Sequence, residues 1–312
     1  MTAPRKHALF VHAHPDDESI NNAATMAKYV DAGIGVTLVT CTAGEMGEIL
    51  VPELEHLAHD QDDKLADQRK LELTNAMAAL GVTDFRFLGG FGKYRDSGMQ
   101  WHEDGHAIPA DTIHDNAFWN ADLTAAADDL VAVIREVRPQ VLVTYDQFGN
   151  YGHPDHIQAH RVATYAAALA GVPSYRAEPV ENGGLGEAHE IAKIYWVALA
   201  ESWMREGLRA MRAAGDETTF EGMDPEGPLP PFVTADENIA CKVDATAFHD
   251  QKMNALAAHA TQITTDGPFF ALSNGAGSQA WGYEFYRIAK GATAAPYDDQ
   301  GLETDLFNGI SV

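Results

Sequence analysis

The chain has 312 residues, 46% of them hydrophobic and 21% charged, long enough to bury a sizeable core as one large α/β domain or two smaller ones. Its 21 Lys and Arg stand against 46 Asp and Glu, a formal net charge of −25 that repels phosphate backbones and anionic lipid headgroups and argues against nucleic-acid and membrane partners. Only two cysteines occur, Cys41 and Cys241, without a CxxC pair, which excludes a disulfide framework and a cysteine-rich zinc module.

MTAPRKHALFVHAHPDD has no signal-peptide core, because its apolar run breaks at once into His and Asp, and no apolar stretch approaches the ~20 residues of a membrane span. A soluble, cytoplasmic protein is expected. His7–His12 (HALFVH) reads as a short strand, Ser19–Ala32 as a helix closed by Gly33, and Ile34–Cys41 as a buried, β-branched strand. Asp60–Leu80 is helical, with Leu73, Met77 and Leu80 spaced by four and three and Gly81 at the C-cap position. Asp84–Leu88 is a third strand. Gly89–Phe118 is long, polar and Gly-rich, and its aromatics Phe91, Tyr94 and Trp101 argue for a functional loop over a disordered one. Ala121–Arg138 is the clearest helix, stopped by Pro139. Val141–Tyr145 is a strand, His156–Ala170 a helix, Gly215–Pro231 a surface connection, Asn238–Val243 a strand, Ala245–His259 a helix and Trp281–Ile288 β-like. The last twenty or so residues read as an acidic tail on the surface.

This alternation predicts an α/β fold with a Rossmann-like, mostly parallel sheet and helices on both faces. Residues 1–175 would form the catalytic domain and 176–312 a smaller α+β extension helping to form the pocket. No GxGxxG follows the first strand, which disfavours a nicotinamide enzyme.

Two clusters carry the chemistry. His12-Ala-His14-Pro-Asp16-Asp17-Glu18 follows the first strand, and Tyr151-Gly-His153-Pro-Asp155-His156 lies just beyond the strand ending at Tyr145. Ligands bind outside the carboxyl ends of strands in open α/β sheets, so both clusters point to one rim. Either cluster alone reads equally well as polar helix-capping residues; the two together, each at a strand end, argue for a shared site. Imidazole and carboxylate suit Zn²⁺ or Fe²⁺, and a catalytic zinc takes three protein ligands. The supply is His14, one of Asp16/Asp17 and one of His153/His156. The groups left over are what a metal-assisted hydrolase needs, a carboxylate as base and an imidazole for charge on oxygen or a leaving group.

HAHPDDES followed far downstream by YGHPDH resembles the LmbE-like metal-dependent N-deacetylases, a family that includes the enzyme deacetylating N-acetylglucosaminyl-phosphatidylinositol. The match covers roughly residues 6–170 and, more loosely, 191–291. VTLVTCTAGEMGEI, LAHDQDD, ALGVTDFRFLGG and KYRDSGM are similar to the branch that makes mycothiol. The resemblance implies hydrolysis of a small amino-sugar inositol substrate, N-acetylglucosaminyl-inositol, to acetate and glucosaminyl-inositol. It further implies zinc, or Fe²⁺, on His14, Asp17 and His156, with Asp16 as general base. His153 would stabilise the oxyanion or protonate the amine, oriented by Asp155, and Tyr151 would polarise the amide carbonyl. Arg69 and Asp96 match positions that bind sugar or inositol hydroxyls. Without the resemblance, Arg69 reads as a solvated partner of Asp62 or Asp63 and Asp96 as a turn residue.

Three rivals stand beside this reading. A mycothiol S-conjugate amidase, or another LmbE-like N-acetylglucosamine deacetylase, is the alternative within the family; the amidase would share the metal and mechanism, although such relatives often carry lysine where Asn21 stands. Phosphoryl-ester hydrolysis at a Mg²⁺ site is disfavoured by the histidines, since Mg²⁺ prefers oxygen ligands. A non-catalytic sugar-binding module would need a closed, four-ligand metal.

Overall fold

The computed structural model describes residues 5–265 and 282–311. In chain order its elements are β1 (His7–His12), α1 (Asp17–Asn21), α2 (Ala23–Asp31), β2 (Gly35–Thr40), α3 (Leu65–Leu80), β3 (Asp84–Phe87), β4 (Met99–Trp101), β5 (Ala107–Pro109), α4 (Leu123–Val137), β6 (Val141–Thr144), α5 (Pro154–Ala170), β7 (Lys193–Ala200), α6 (Glu201–Ala213), β8 (Val233–Thr234), β9 (Cys241–Asp244), α7 (His249–Ala258) and β10 (Tyr283–Lys290).

The main sheet runs β3-β2-β1-β6-β7-β10-β9, with β8 beside the end of β7. Pairings from β3 to β8 are parallel, and β10 is antiparallel to both β7 and β9. The sheet is thus the mostly parallel α/β sheet expected. β1 lies at the switch point: the chain runs outward through β2 and β3, then returns to place β6 on the other side of β1. Two loops therefore leave neighbouring strand ends at one crevice.

Phe10 and Leu38 are fully buried, as continuous apolar runs covered by helices on two faces require. Helices α2, α3 and α7 pack as one group and α4 with α5 as another. Local capping sets several ends. Asp122 accepts the Ala125 N–H at the start of α4, and Gly81 at φ 73° closes α3.

The structure departs from the sequence reading in particular places. The single helix expected over Ser19–Ala32 breaks at Asn22, whose side chain binds the His12 ring at 2.6 Å and the Tyr286 hydroxyl at 3.1 Å. The helix expected from Asp60 begins at Leu65. Gly89–Phe118 holds the β4–β5 hairpin. The run expected over Trp281–Ile288 is β10; Trp281 itself lies outside the described residues. The acidic tail lies on the surface only in its first part: residues 293–302 are mostly exposed, whereas Leu306 and Phe307 are buried and the fully buried Glu303 is bound by Lys193 and Tyr195. One sheet runs through both expected segments, since β7 and β10, from the second, extend the strands of the first. Among the described residues, no helix is long and apolar enough to cross a membrane.

Candidate active site

The first loop continues β1 into the crevice. His14 and Asp17 are buried, and Asp17 turns back to accept the His14 backbone N–H at 2.9 Å. Between them Asp16 adopts φ 119°, a conformation rare for a residue with a side chain. Its N–H is held by Glu18 Oε2 at 3.0 Å, and Glu18 is itself locked by the buried His259 at 2.9 Å.

The second loop delivers α5. Pro154 takes the first helical position, where its missing N–H costs nothing, and His153 is the N-cap. The His153 Nδ1 accepts the Asp155 backbone N–H at 3.1 Å, so the neutral ring carries its proton on Nε2. One turn along, His156 faces the same space. Gly152, at φ 101°, lets this loop lie against β5; a Cβ there would sit 2.6 Å from the Ala107 carbonyl oxygen. The hairpin thereby covers one side of the loop, with Trp101 5.8 Å from Tyr151 between ring centres.

The two loops meet. Asp17 Oδ2 lies 3.3 Å from His14 Nδ1, and Asp17 Oδ1 lies 3.4 Å from His156 Nε2. The rings of His14, His153 and His156 are mutually 4.6 to 5.3 Å apart. On its far side, His14 Nε2 is 3.3 Å from Asp155 Oδ2 and 3.7 Å from Asp96 Oδ1. The Asp155 carboxylate therefore orients His14, and is anchored by the Ser97 hydroxyl and N–H; only the Asp155 backbone N–H reaches His153. That differs from the expected pairing of Asp155 with His153. One turn of α5 aims its carboxylate at the first loop.

Asp96 accepts N–H groups from Gly98 and Met46. Arg69 is buried, not solvated. It spans the carbonyls of Gly44 and Pro15 and lies 3.2 Å from Asp16 Oδ2, while Asp63 pairs with Arg95. Both residues expected to bind sugar line the cavity, and both are held by protein partners.

The cluster can hold a metal ion. The ligand atoms of His14, His153 and His156 lie within 4.8 Å of one another. Among the described residues, neither ring nitrogen of the buried His156 has a hydrogen-bond partner beyond the 3.4 Å approach of Asp17 to Nε2, and buried polar atoms are seldom left so. Four carboxylates, Asp16, Asp17, Asp96 and Asp155, crowd the cluster, and Arg69 lies 3.2 Å from Asp16 Oδ2. A buried surplus of negative charge is the environment a cation relieves.

The same charges set the acidities. Burial alone would lower the His14 pKa, but Asp96, Asp155 and Asp17 overcome it and raise it well above the usual value. Burial favours neutral Asp17, and His156 and His14 outweigh it, holding that carboxyl well down. Asp16 is pushed up to about 6 by burial, against the pull of Arg69. Burial, with His14 and His156 nearby, holds His153 well below the ordinary histidine range, hence neutral. Burial raises the Tyr151 hydroxyl, which keeps its proton.

The cluster forms the polar end of a cavity of about 710 Å³. Trp203, Met204, Leu208, Phe220, Phe232 and Phe285 give the same cavity an apolar stretch of wall. Sequence reasoning passed over β7 and α6, which supply much of it. The signal was present: Met204, Leu208 and Met211 follow four and three apart. No local signal pointed to Glu18 with His259, which are 241 positions apart.

A model of the family PIG-L, GlcNAc-PI de-N-acetylase, matches residues 9–167. The chain is 71% identical over 302 residues to the 1D-myo-inositol 2-acetamido-2-deoxy-alpha-D-glucopyranoside deacetylase of Nocardioides sp. (strain ATCC BAA-499 / JS614), covering 97% of this chain and 98% of that protein. It is 63% identical to the enzyme of the same name from Kribbella flavida, covering 98% and 99%. Among solved structures, N,N'-diacetylchitobiose deacetylase from Pyrococcus horikoshii shares the fold at a TM-score of 0.58 and 20% identity, over 91% of this chain and 83% of that one.

Proposed function

The chain belongs to the GlcNAc-PI de-N-acetylase family, and on that premise we propose that it hydrolyses the N-acetyl group of 1D-myo-inositol 2-acetamido-2-deoxy-alpha-D-glucopyranoside, giving acetate and glucosaminyl-inositol, a step of mycothiol biosynthesis. The observation that carries this reading is one buried set of imidazoles and carboxylates, from two distant loops, at the polar end of a ligand-sized cavity.

The metal is held by His14, Asp17 and His156, a set that suits Zn²⁺, with Fe²⁺ the alternative. Bound there, the ion would supply Lewis acidity to a water and to the amide oxygen. Asp155 on the far nitrogen of His14 is the carboxylate that commonly orients a ligating histidine.

The remaining steps belong to the chain. Asp16, with a pKa near neutrality, takes a proton from the attacking water and returns it to the departing amine. His153, neutral and protonated on Nε2, donates a hydrogen bond to the oxyanion, so its Nδ1 bond to Asp155 favours that role over proton transfer to the amine. Tyr151 retains its proton and polarises the carbonyl. Arg69 holds the Asp16 carboxylate in place, and it and Asp96 border the space left for sugar hydroxyls.

Acetate and free amine released from this substrate are followed by proton NMR. Formation of both in equal amounts is expected; their absence with metal-loaded protein overturns the reading. The apolar wall favours a second reading, cleavage of the amide in mycothiol S-conjugates. Parallel turnover of a conjugate decides between them, and a rate tenfold above that for the acetylated sugar would establish the second.

A further inference from the structure

We propose that the tip of the β4–β5 hairpin is a second, exposed site for a divalent transition-metal ion, formed by His102, Asp104 and His106. Two imidazoles and a carboxylate offer one ligand atom each, all within 4.8 Å of one another. The hairpin holds them there. His102 N–H donates to the His106 carbonyl at 2.9 Å, Gly105 N–H donates back to the His102 carbonyl at 2.9 Å, and Gly105 turns the chain at φ 80°. The two rings face the same side, 4.8 Å apart between centres and 32° from parallel. Asp104 Oδ2 reaches to 3.2 Å of His102 Nδ1.

Side-chain exposures of 37% for His102 and 76% for Asp104 make the site accessible from solvent. Two imidazoles and one carboxylate suit Zn²⁺, Ni²⁺ or Cu²⁺ and poorly suit Mg²⁺ or Ca²⁺. The chain's charge of −25 draws cations to its surface. Three ligands on a short turn leave the remaining coordination positions to water, so this ion exchanges readily.

The rung directly beside the tip, Trp101 opposite Ala107, meets the loop of Tyr151, a residue that lines the cavity. Ala107 N–H donates to the Tyr151 carbonyl at 2.9 Å, and the Trp101 ring lies 5.8 Å from that of Tyr151. An ion at the tip therefore braces the strands that hold the Tyr151 loop.

The test is equilibrium dialysis of the metal-stripped full chain against Zn²⁺, with thermal unfolding in parallel. The wild type is expected to take up two equivalents, and H102A/H106A and H156A one each. H56A/H59A, which removes an exposed pair outside the site, is expected to keep two. The second equivalent raises the Tm of the wild type and leaves that of H102A/H106A unchanged. Equal uptake by the wild type and H102A/H106A overturns the hairpin site. Equal uptake by the wild type and H156A counts instead against the cavity centre, so the two readings fail separately. Should H102A/H106A misfold, D104N serves: a roughly tenfold weaker second equivalent is expected, and an unchanged one overturns the proposal.

Discussion

As the proposed general base, Asp16 would meet two demands that pull against each other: it must be ionised to accept a proton and acidic enough to give it up. Burial raises its pKa to about 6 while Arg69, 3.2 Å away, holds it ionisable. The Asp16 carboxylate is not among the groups holding the metal in this scheme. Asp16→Asn should therefore retain the ion and lose about 10²- to 10⁴-fold in kcat, the span typical of a lost general base. Asn tolerates a positive φ, so the fold should survive. Metal content and kcat measured on one preparation check this; loss of the ion together with activity would mean Asp16 is a ligand.

The buried pair Glu18–His259 holds the strained Asp16 backbone. Burial lowers the His259 pKa, but Glu18 overcomes it and the net shift is upward; burial raises that of Glu18, but His259 overcomes it and the net shift is downward. The histidine's contribution to stability is complete below about 6.5, its unfolded value, and fades as pH rises through the higher folded value. The glutamate's is complete above its unfolded value, about 4.5, and fades as pH falls through the lower folded one. The pair should thus stabilise most between about 4.5 and 6.5. The Tm difference between wild type and His259→Gln should peak in that window; a difference flat from pH 5 to 9 would contradict the pairing. The two clusters that meet in the crevice were legible in sequence because each is contiguous and follows a strand. The second partner of Asp16 was not, because His259 reaches it only through tertiary packing.

At the scale of elements, the N-terminus of α5 is the part that aims the site. His153 caps the helix, Asp155 faces back to His14, and His156 faces Asp17, so one turn serves three purposes. The hairpin lies against the preceding loop at Gly152. Gly152→Ala would bring a Cβ to 2.6 Å from the Ala107 carbonyl oxygen at a φ of 101°. A loss of about 1–3 kcal/mol in stability is expected, with a fall in kcat as Tyr151 shifts. Denaturant unfolding and steady-state kinetics check both; wild-type values in each would show that the close approach has no consequence. Helices α3 and α4 were readable from their apolar spacing and local caps. The start of α2 was not: its N–H groups at Ala24 and Thr25 are taken by Glu284, 260 positions away, which no local pattern reveals.

Over the whole molecule, one sheet joins the segment bearing the polar cluster to the segment that walls the cavity. β7 carries the junction, pairing with β6 on one side and β10 on the other. The C-terminal residues tie this junction down. Lys193 at the start of β7 and Tyr195 beside it both bind Glu303, and all three are buried or nearly so. The sequence reads as an acidic surface tail because one buried glutamate, matched by a lysine 110 positions earlier, looks like any other charge in a strongly acidic chain. Glu303→Ala leaves a buried ammonium without its partner and should cost about 3–5 kcal/mol. Urea unfolding measures it; a loss below about 1 kcal/mol, the level of a surface pair, would mean that the tail is not part of the core.

The union of two distant loops around one divalent ion is tested most directly by acetate release from the amino-sugar inositol substrate before and after chelation. Metal-free protein should release none, and about one equivalent of Zn²⁺ at the His14, Asp17 and His156 centre should restore the full rate. Undiminished release by protein shown to be metal-free would contradict it.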